Sequence, residues 1–550
     1  MRIDFDRRVP MRDDVTLSAD VYRPDDDDRH PVILTRTPYL KTDARVPART
    51  RPYVERGYVV VWIDVRGRGD SDGVFVPYRN DGRDGYDAIE WCAAQPWSDG
   101  NVGTMGGSYA GRIQWLTALE RPPHLRAMSV SVSPSDPFVE WPTGVTTPMH
   151  LCWHHLTAGR VLQNMGAVDW PAVYAHLPLL SMDERAGRHS PTWREELAHE
   201  GLDDYWRVLC YQDKFDRIDV PVLHVSGWYD DEQIGTPLNY AGMAARAATP
   251  RARASQTLLM GPWGHAINTV STLGEIDFGP EALIDLPGYQ ARWFDRWLKG
   301  DEAAADAAPV RLFVMGANRW RDEQEWPLAR TRVTPYYLHS GGRANSLYGD
   351  GTLSAAPPGE EQPDGYTYHP ARPVPFITEP VSSQIGGPDD YAAIERRDDV
   401  LVYTSAPLEE DTEVTGPVRV ELYAASSAPD TDFMAMLLDV HPTGFAQRLC
   451  DGMVRARFRD GMDHPSLIEP GQVYRYDIDL WNTAQVFHTG HRLRVHITSS
   501  AFPKYDRNLN TGESLSTGTR MAAADQQIRH DAAHPSRIML PIIPAAHDAA

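Results

Sequence analysis

The chain is poor in lysine and cysteine and has no long apolar run. Of its 54 basic residues only Lys41, Lys214, Lys299 and Lys504 are lysines, which leaves few candidates for Schiff-base chemistry. Its 4 cysteines, Cys92, Cys152, Cys210 and Cys450, are scattered without a CxxC pair, so neither a disulfide framework nor a structural zinc site is expected. No stretch approaches the roughly 18 apolar residues that a membrane span needs, and the opening "MRIDFDRRVPMRDDV" lacks the apolar core of an export signal. These absences predict a cytoplasmic protein. A net charge of -22 opposes binding to phosphate backbones and anionic lipid, so neither nucleic acid nor membrane is an expected partner. A homo-oligomer is left open.

At 550 residues the chain exceeds one ordinary core, and length alone predicts roughly three domains. In the first third, β-rich runs alternate with helical segments: "PVILTRTPY" (31–39), "YVVVWIDVRG" (58–67), "NVGTMGGS" (101–108) and "LRAMSVSVSPSD" (125–136). Nearly continuous apolar strands separated by helices predict a parallel sheet covered on both faces. Between them, "DGYDAIEWCAAQPW" spaces Tyr86, Ile89, Cys92 and Ala93 as one helical face before Pro96 stops it.

That context gives meaning to "GGSYAG" (106–111). A strand ends at Ser108, and "YAGRIQWLTALE" follows with Ile113, Leu116 and Leu119 on one helical face. Strand, sharp turn and helix make a nucleophile elbow, in which small neighbours, here Gly106 and Ala110, let a serine adopt a tight backbone conformation. The helix start also places backbone N–H groups, that of Tyr109 first, where an oxyanion would form. A serine hydroxyl needs a base, and the base needs an orienting carboxylate; in α/β-hydrolases these follow in the order acid, then histidine, each after a later strand. "VPVLHVSGWYDDEQ" supplies such a strand and Asp230, 122 residues beyond Ser108; "QTLLMGPWGHAIN" supplies the next and His265, another 35 on. Strand spacing alone does not choose between Asp230 and Asp231. His154 and His155 precede the acid and break the order, and a metal role for them with Cys152 is disfavoured because neighbouring side chains rarely converge.

These residues resemble the CocE/NonD hydrolases, a family related to X-Pro dipeptidyl-peptidases and α-amino acid ester hydrolases. The resemblance covers almost the whole chain through "VPMRDDVTLSADVYRP", "RTPY", "DVRGRGDSDG", "DGNVGTMGGSYAG", "GWYD", "GPWGH", "VRLFVMGANRWRDEQEWPL", "PDTDFMAMLLDVHPTG" and "FPKYDRNLNTG". It implies Ser108 as nucleophile, His265 as general base and then acid, and Asp230, which ends "GWYD", as the orienting carboxylate. It also implies an oxyanion hole of the Tyr39 hydroxyl and the Tyr109 backbone N–H. An ordinary packed aromatic is the plain alternative for Tyr39.

From about 137 to 218 helix-compatible segments replace strands, as expected of a lid inserted above the nucleophile. The resemblance makes it a helical cap. Trp141 and Trp153 are its candidate pocket walls, against the plainer reading of core aromatics. From about 305 the period changes to two: "VRVELYA" alternates Val418, Val420 and Leu422 with Arg419, Glu421 and Tyr423, and "HRLRVHI" alternates Leu493, Val495 and Ile497 with Arg492, Arg494 and His496. Such alternation predicts a half-buried antiparallel sandwich, which the resemblance identifies as a jelly roll. Residues 350–365 read as loops.

The expected fold is therefore α/β: a hydrolase core (1–136 and 219–304), a helical cap (137–218) and a C-terminal jelly roll (305–550). Some relatives carry an aromatic residue two positions after the triad aspartate, where this chain has Glu232, and this speaks against bulky aromatic esters. The α-amino acid ester hydrolases carry a glutamate there, followed by a further carboxylate that is here Gln233. A buried carboxylate near the scissile carbonyl would favour a substrate ammonium; a solvated or arginine-paired glutamate is the alternative. The expected activity is that of a carboxylesterase or acylase on small esters or amides, without metal or organic cofactor. X-Pro dipeptidyl-peptidase or α-amino acid ester hydrolase activity comes next, and a catalytically silent binding protein is the reading from a different class.

Overall fold

Strands rich in valine, isoleucine and leucine pair because both of their faces are covered, and the order in which they pair brings the chemistry-bearing turns to one edge. The computed structural model describes residues 1–304, 308–379 and 385–544. Its first sheet runs, in spatial order, through Arg2–Pro10, Thr16–Arg23, Val59–Asp64, His30–Thr37, Ser98–Gly107, Leu125–Ser131, Val222–Gly227, Gln256–Gly261, Val310–Val314 and Arg319–Glu323. From Val59–Asp64 to Val310–Val314 the pairing is parallel, as the apolar runs predicted, and the antiparallel strands lie at the two flanks.

One face of this sheet packs on helices Asp81–Ala93, Tyr109–Leu119 and Gly235–Arg246 through Ile89, Trp115 and Met243. The other packs on Val46–Glu55 and Leu286–Lys299 through Val54, Trp293 and Phe294. Each such side chain taken fully from water contributes roughly 1.5–3 kcal/mol. The helix Leu286–Lys299 is bounded by the Asp285 carboxylate, which accepts the Gly288 N–H, and by Gly300 in the left-handed conformation.

The expected division at 305 lies outside the described residues. Strands just beyond it, Val310–Val314 and Arg319–Glu323, still hydrogen-bond into the first sheet, so residues assigned to the sandwich by their position belong to the core by their pairing. Between Leu125–Ser131 and Val222–Gly227 the chain forms short helices, His150–Leu156, Trp170–Tyr174, Met182–Arg185, Pro191–Ala198 and Asp204–Arg207, around Trp170, Met182, Trp193 and Leu197. Three of these helices start at a side-chain cap: Asp169, Ser190 and Asp203 accept the N–H groups of Ala172, Trp193 and Trp206.

The second large sheet system is the jelly roll, dominated by the long antiparallel pair Thr412–Ser426 and Tyr474–Phe487. In the first of these, Val418, Val420 and Leu422 are buried while Arg419 is exposed, as the alternation predicted. In Arg492–Thr498 the alternation misleads. Arg494 and His496 are buried as well, because Glu395 covers their face and accepts a bond from each, at 2.6 Å and 2.8 Å. The stretch 350–365, expected to be loop throughout, contains the strand Thr352–Ser354. Among the described residues, no helix is long and apolar enough to cross a membrane.

Candidate active site

Ser108 sits where Ser98–Gly107 turns into the helix Tyr109–Leu119, with φ 58° and ψ −129°. A non-glycine residue held there costs about 1–3 kcal/mol, which the surroundings must impose. They do so by close contact: a Cβ at Gly106 would lie 2.7 Å from that of Ala110, and one at Gly111 would lie 2.8 Å from the Ser131 carbonyl oxygen. The Ser108 N–H donates to the carbonyls of Ser131 and Val132, at 3.1 Å and 3.0 Å. The serine is thus fixed by small neighbours, as "GGSYAG" predicted, and by an adjacent strand end that the motif does not reveal.

The strands ending at Gly107, Gly227 and Gly261 belong to one run of four neighbours, and the carboxyl edge of such a sheet is where α/β folds bind ligands. Past Gly227, Asp230 accepts the Ser226 hydroxyl on Oδ2 at 2.6 Å. Its Oδ1 faces His265 Nδ1 at 2.8 Å and accepts the Glu232 N–H at 3.1 Å. Asp231 Oδ1 lies farther from the same ring nitrogen, 3.4 Å, and has no hydrogen-bond partner. Geometry therefore favours Asp230 over Asp231, the choice that spacing left open. With Nδ1 turned to Asp230, the other edge of the imidazole is directed away from the carboxylate, and His265 and Ser108 line the same cavity of about 490 Å³.

Tyr39 also lines that cavity. Its hydroxyl accepts the Trp153 indole N–H at 2.9 Å. Burial pushes the Tyr39 phenol up to about 12, partly offset by the bond from Trp153. The Tyr109 N–H lies in the first helical turn, where no intrahelical acceptor exists. Trp141, Trp153 and Glu232 all reach the cavity wall.

The cavity wall also gathers carboxylates the sequence did not place together, alongside Arg45, Arg49 and Lys504. Glu140, from the segment after the Leu125–Ser131 strand, lines it beside Asp231 and Glu232. Burial, with the neighbouring carboxylates, pushes Glu232 well above the usual range, and Oε2 of its side chain is buried without a hydrogen-bond partner. Glu140 and Asp231 are raised for the same first reason, burial. For His265, burial opposes the imidazolium, but Asp231, Glu232 and Asp230 outweigh it and hold the ring well above the usual histidine range. Gln233, by contrast, is spent on structure: its amide donates to the Asn482 carbonyl at 2.6 Å and accepts the Asn482 N–H at 3.2 Å, tying the core to the jelly roll. The jelly roll itself supplies Trp481, Lys504 and Tyr505 to the cavity wall. Of these, only the last two stand in a recognisable motif, "FPKYDRNLNTG".

The helix His150–Leu156 does not bring Cys152, His154 and His155 together. Cys152 meets the Tyr174 hydroxyl, His155 packs edge-on to Trp170, and His154 bonds Glu196 at 3.0 Å. The set with metal-ligand spacing here is instead His150, His154 and Glu196, whose ligand atoms lie within 4.8 Å of one another. Two further sets have that spacing, Asp439 with His441 and His491, and the Asp230, Asp231 and His265 group.

Elbow, paired histidine and carboxylate, and a parallel sheet with a jelly roll behind it define a serine hydrolase of the α/β class. The X-Pro dipeptidyl-peptidase (S15 family) model matches residues 13–267, and the model of the X-Pro dipeptidyl-peptidase C-terminal non-catalytic domain matches residues 302–539. The chain is 38% identical to cocaine esterase of Rhodococcus sp. over 97% of both chains. Among solved structures, an α-amino acid ester hydrolase superposes with a TM-score of 0.88 at 26% identity, covering 98% of this chain and 96% of its own. An aminopeptidase from a marine sediment Thaumarchaeota archaeon superposes at 0.86 and 26% identity, covering 98% and 97%. The chain belongs to the family of CocE/NonD and S15 serine hydrolases.

Proposed function

We propose that the protein hydrolyses small carboxylic esters through an acyl-enzyme on Ser108. His265 takes the hydroxyl proton as oxygen attacks the carbonyl, and Asp230 holds the imidazole in the tautomer that leaves the other ring nitrogen free to accept it. The tetrahedral oxyanion is received by the Tyr39 hydroxyl and the Tyr109 N–H, a contribution typically worth about 3–4 kcal/mol per donor. Protonated His265 then gives its proton to the leaving alcohol, and water repeats the sequence to release the acid. The observation that carries this reading is a strained serine opening onto the same cavity as a histidine whose far nitrogen is held by a buried aspartate. Labelling by a fluorophosphonate probe tests it: Ser108→Ala is expected to abolish labelling, and persistent labelling of another serine would refute the assignment.

Within esters, we propose a preference for substrates carrying an ammonium group. The support is the buried, unpartnered Glu232 Oε2 beside Glu140 and Asp231. An arriving cation converts a desolvated acid into a paired one, which an uncharged substrate does not do. Amino acyl esters, aminoalcohol esters and N-terminal peptides share that charge, so a panel of amino acyl esters, neutral p-nitrophenyl esters, β-lactam amides and X-Pro anilides separates them. Faster turnover of the anilides than of every ester would replace the ester reading with the peptidase one. We further place the protein in the cytoplasm, on its cysteine usage, and as one that binds neither nucleic acid nor membrane, on its charge.

A further inference from the structure

We infer that Trp153, carried by the helix His150–Leu156 of the cap segment, is a positioning residue for the oxyanion hole: its indole N–H fixes the direction in which the Tyr39 hydroxyl donates. The inference rests on the reading of Tyr39 as an oxyanion donor. A tyrosine hydroxyl has one proton and two lone pairs and rotates to suit its neighbours, whereas an indole nitrogen only donates. At 2.9 Å from Trp153 Nε1, the Tyr39 oxygen must therefore be the acceptor. That bond occupies one lone pair and turns the phenolic proton away from the indole, leaving it to donate into the cavity that Tyr39 lines with Ser108.

The indole is itself held rigidly. It stacks on Tyr109 with ring centroids 5.7 Å apart and on His150 at 5.3 Å, with interplanar angles of 19° and 15°. Tyr109 is anchored in turn, its hydroxyl donating to Asp81 at 2.5 Å and accepting the Tyr78 N–H at 3.1 Å. A second tie sets the spacing between the two elements. The buried Arg68 guanidinium donates to the Pro38 carbonyl, next to Tyr39, at 2.8 Å, and to the Thr157 carbonyl, just past the Trp153 helix, at 2.6 Å. A wall that only enclosed substrate would be served by any aromatic ring. The bonded N–H serves a different purpose: accepting it polarises the Tyr39 O–H and strengthens its donation to a developing negative charge.

Replacement of Trp153 by benzothienylalanine tests this, because sulfur takes the place of the N–H while ring shape is kept. The measurement is kcat and KM on a neutral p-nitrophenyl ester, with affinity for an alkyl boronic acid as a tetrahedral mimic, in the wild-type and Tyr39→Phe backgrounds. With Tyr39 intact, kcat is expected to fall about tenfold and boronate affinity by the same factor, with KM within about twofold. In the Tyr39→Phe background the same replacement is expected to change kcat by less than about twofold, since the group it positions is gone. Retained kcat, a change in KM alone, or equal losses in both backgrounds would overturn the inference. Its failure and that of the oxyanion reading are distinct: a Tyr39→Phe loss without an isostere loss sinks only the role of Trp153, while an undiminished Tyr39→Phe enzyme sinks both.

Discussion

Two glutamates, one buried and one half-buried with a buried carboxylate oxygen, occupy opposite situations. In the jelly roll, Glu395 accepts bonds from Arg494 and His496, and although burial would push its carboxyl up, those bonds hold it below the usual range. In the cavity lined by Ser108 and His265, Glu232 has an unpartnered oxygen and is held well above that range by burial first, with Glu140 and Asp231 adding to it against the opposing charge of His265. The same side chain is thus a completed ion pair in one region and an incomplete one in the other. A desolvated carboxylate oxygen without a hydrogen-bonded cation is costly, and an arriving cation relieves that cost. The contrast supports reading the first region as architecture and the second as the proposed binding site.

The largest effect that sharpens this comparison is expected at the proposed nucleophile. Ser108→Ala is expected to lower kcat by about 10⁴- to 10⁶-fold while leaving thermal stability and the affinity for an amino-bearing substrate analogue close to wild type. A loss of affinity as large as the loss of rate would mean that the two ends of the cavity are not separate. Glu395→Gln comes next. Breaking a fully buried pair costs about 3–5 kcal/mol, readable in denaturant unfolding, with no change in substrate selectivity in the protein that remains folded.

Glu232→Gln should do the reverse. It is expected to raise KM about tenfold for amino-bearing esters and less than about twofold for neutral ones, without lowering stability at pH 7. The pH dependence carries opposite signs. Because the Glu395 carboxyl is depressed in the fold, its stabilisation is present above the unfolded value of about 4.3 and is lost as pH falls through the folded value. Because that of Glu232 is raised, it weakens the fold as pH climbs from about 4.3 towards its folded value, and Glu232→Gln flattens that decline. A Glu232→Gln variant less stable by more than about 2 kcal/mol would place both glutamates in the same class.

The smallest effect concerns the base. Asp231 Oδ1 lies 3.4 Å from His265 Nδ1 and favours the imidazolium, so Asp231→Asn should move the acidic limb of kcat/KM for a neutral ester to lower pH by roughly half a unit to one unit. A limb that stays in place would show that Asp231 does not act on the ring.

Much of this was legible in the chain as written. The parallel sheet followed from uninterrupted apolar runs, and the elbow from small residues around Ser108, because both are local requirements of backbone pairing and close approach. The reading was weaker where burial depends on partners distant in the chain. Arg494 and His496 alternate like a half-exposed strand, and only Glu395, about a hundred positions away, explains their burial. Strands beyond 305 joined the core sheet for the same reason: a neighbour in space, Gln256–Gly261, offers its open edge.

Sequence by itself determined which residues are proposed to carry the reaction, the choice of Asp230 over Asp231 apart, since a strand end, a glycine-lined turn and the order serine, aspartate, histidine are properties of local stretches and their succession. The tertiary structure alone decided what surrounds them: that Gln233 serves Asn482 instead of a ligand, that Glu140 joins Glu232, and that a cap tryptophan reaches the Tyr39 hydroxyl. Those outcomes depend on desolvation and on distances between separate elements, quantities that no short stretch of chain contains.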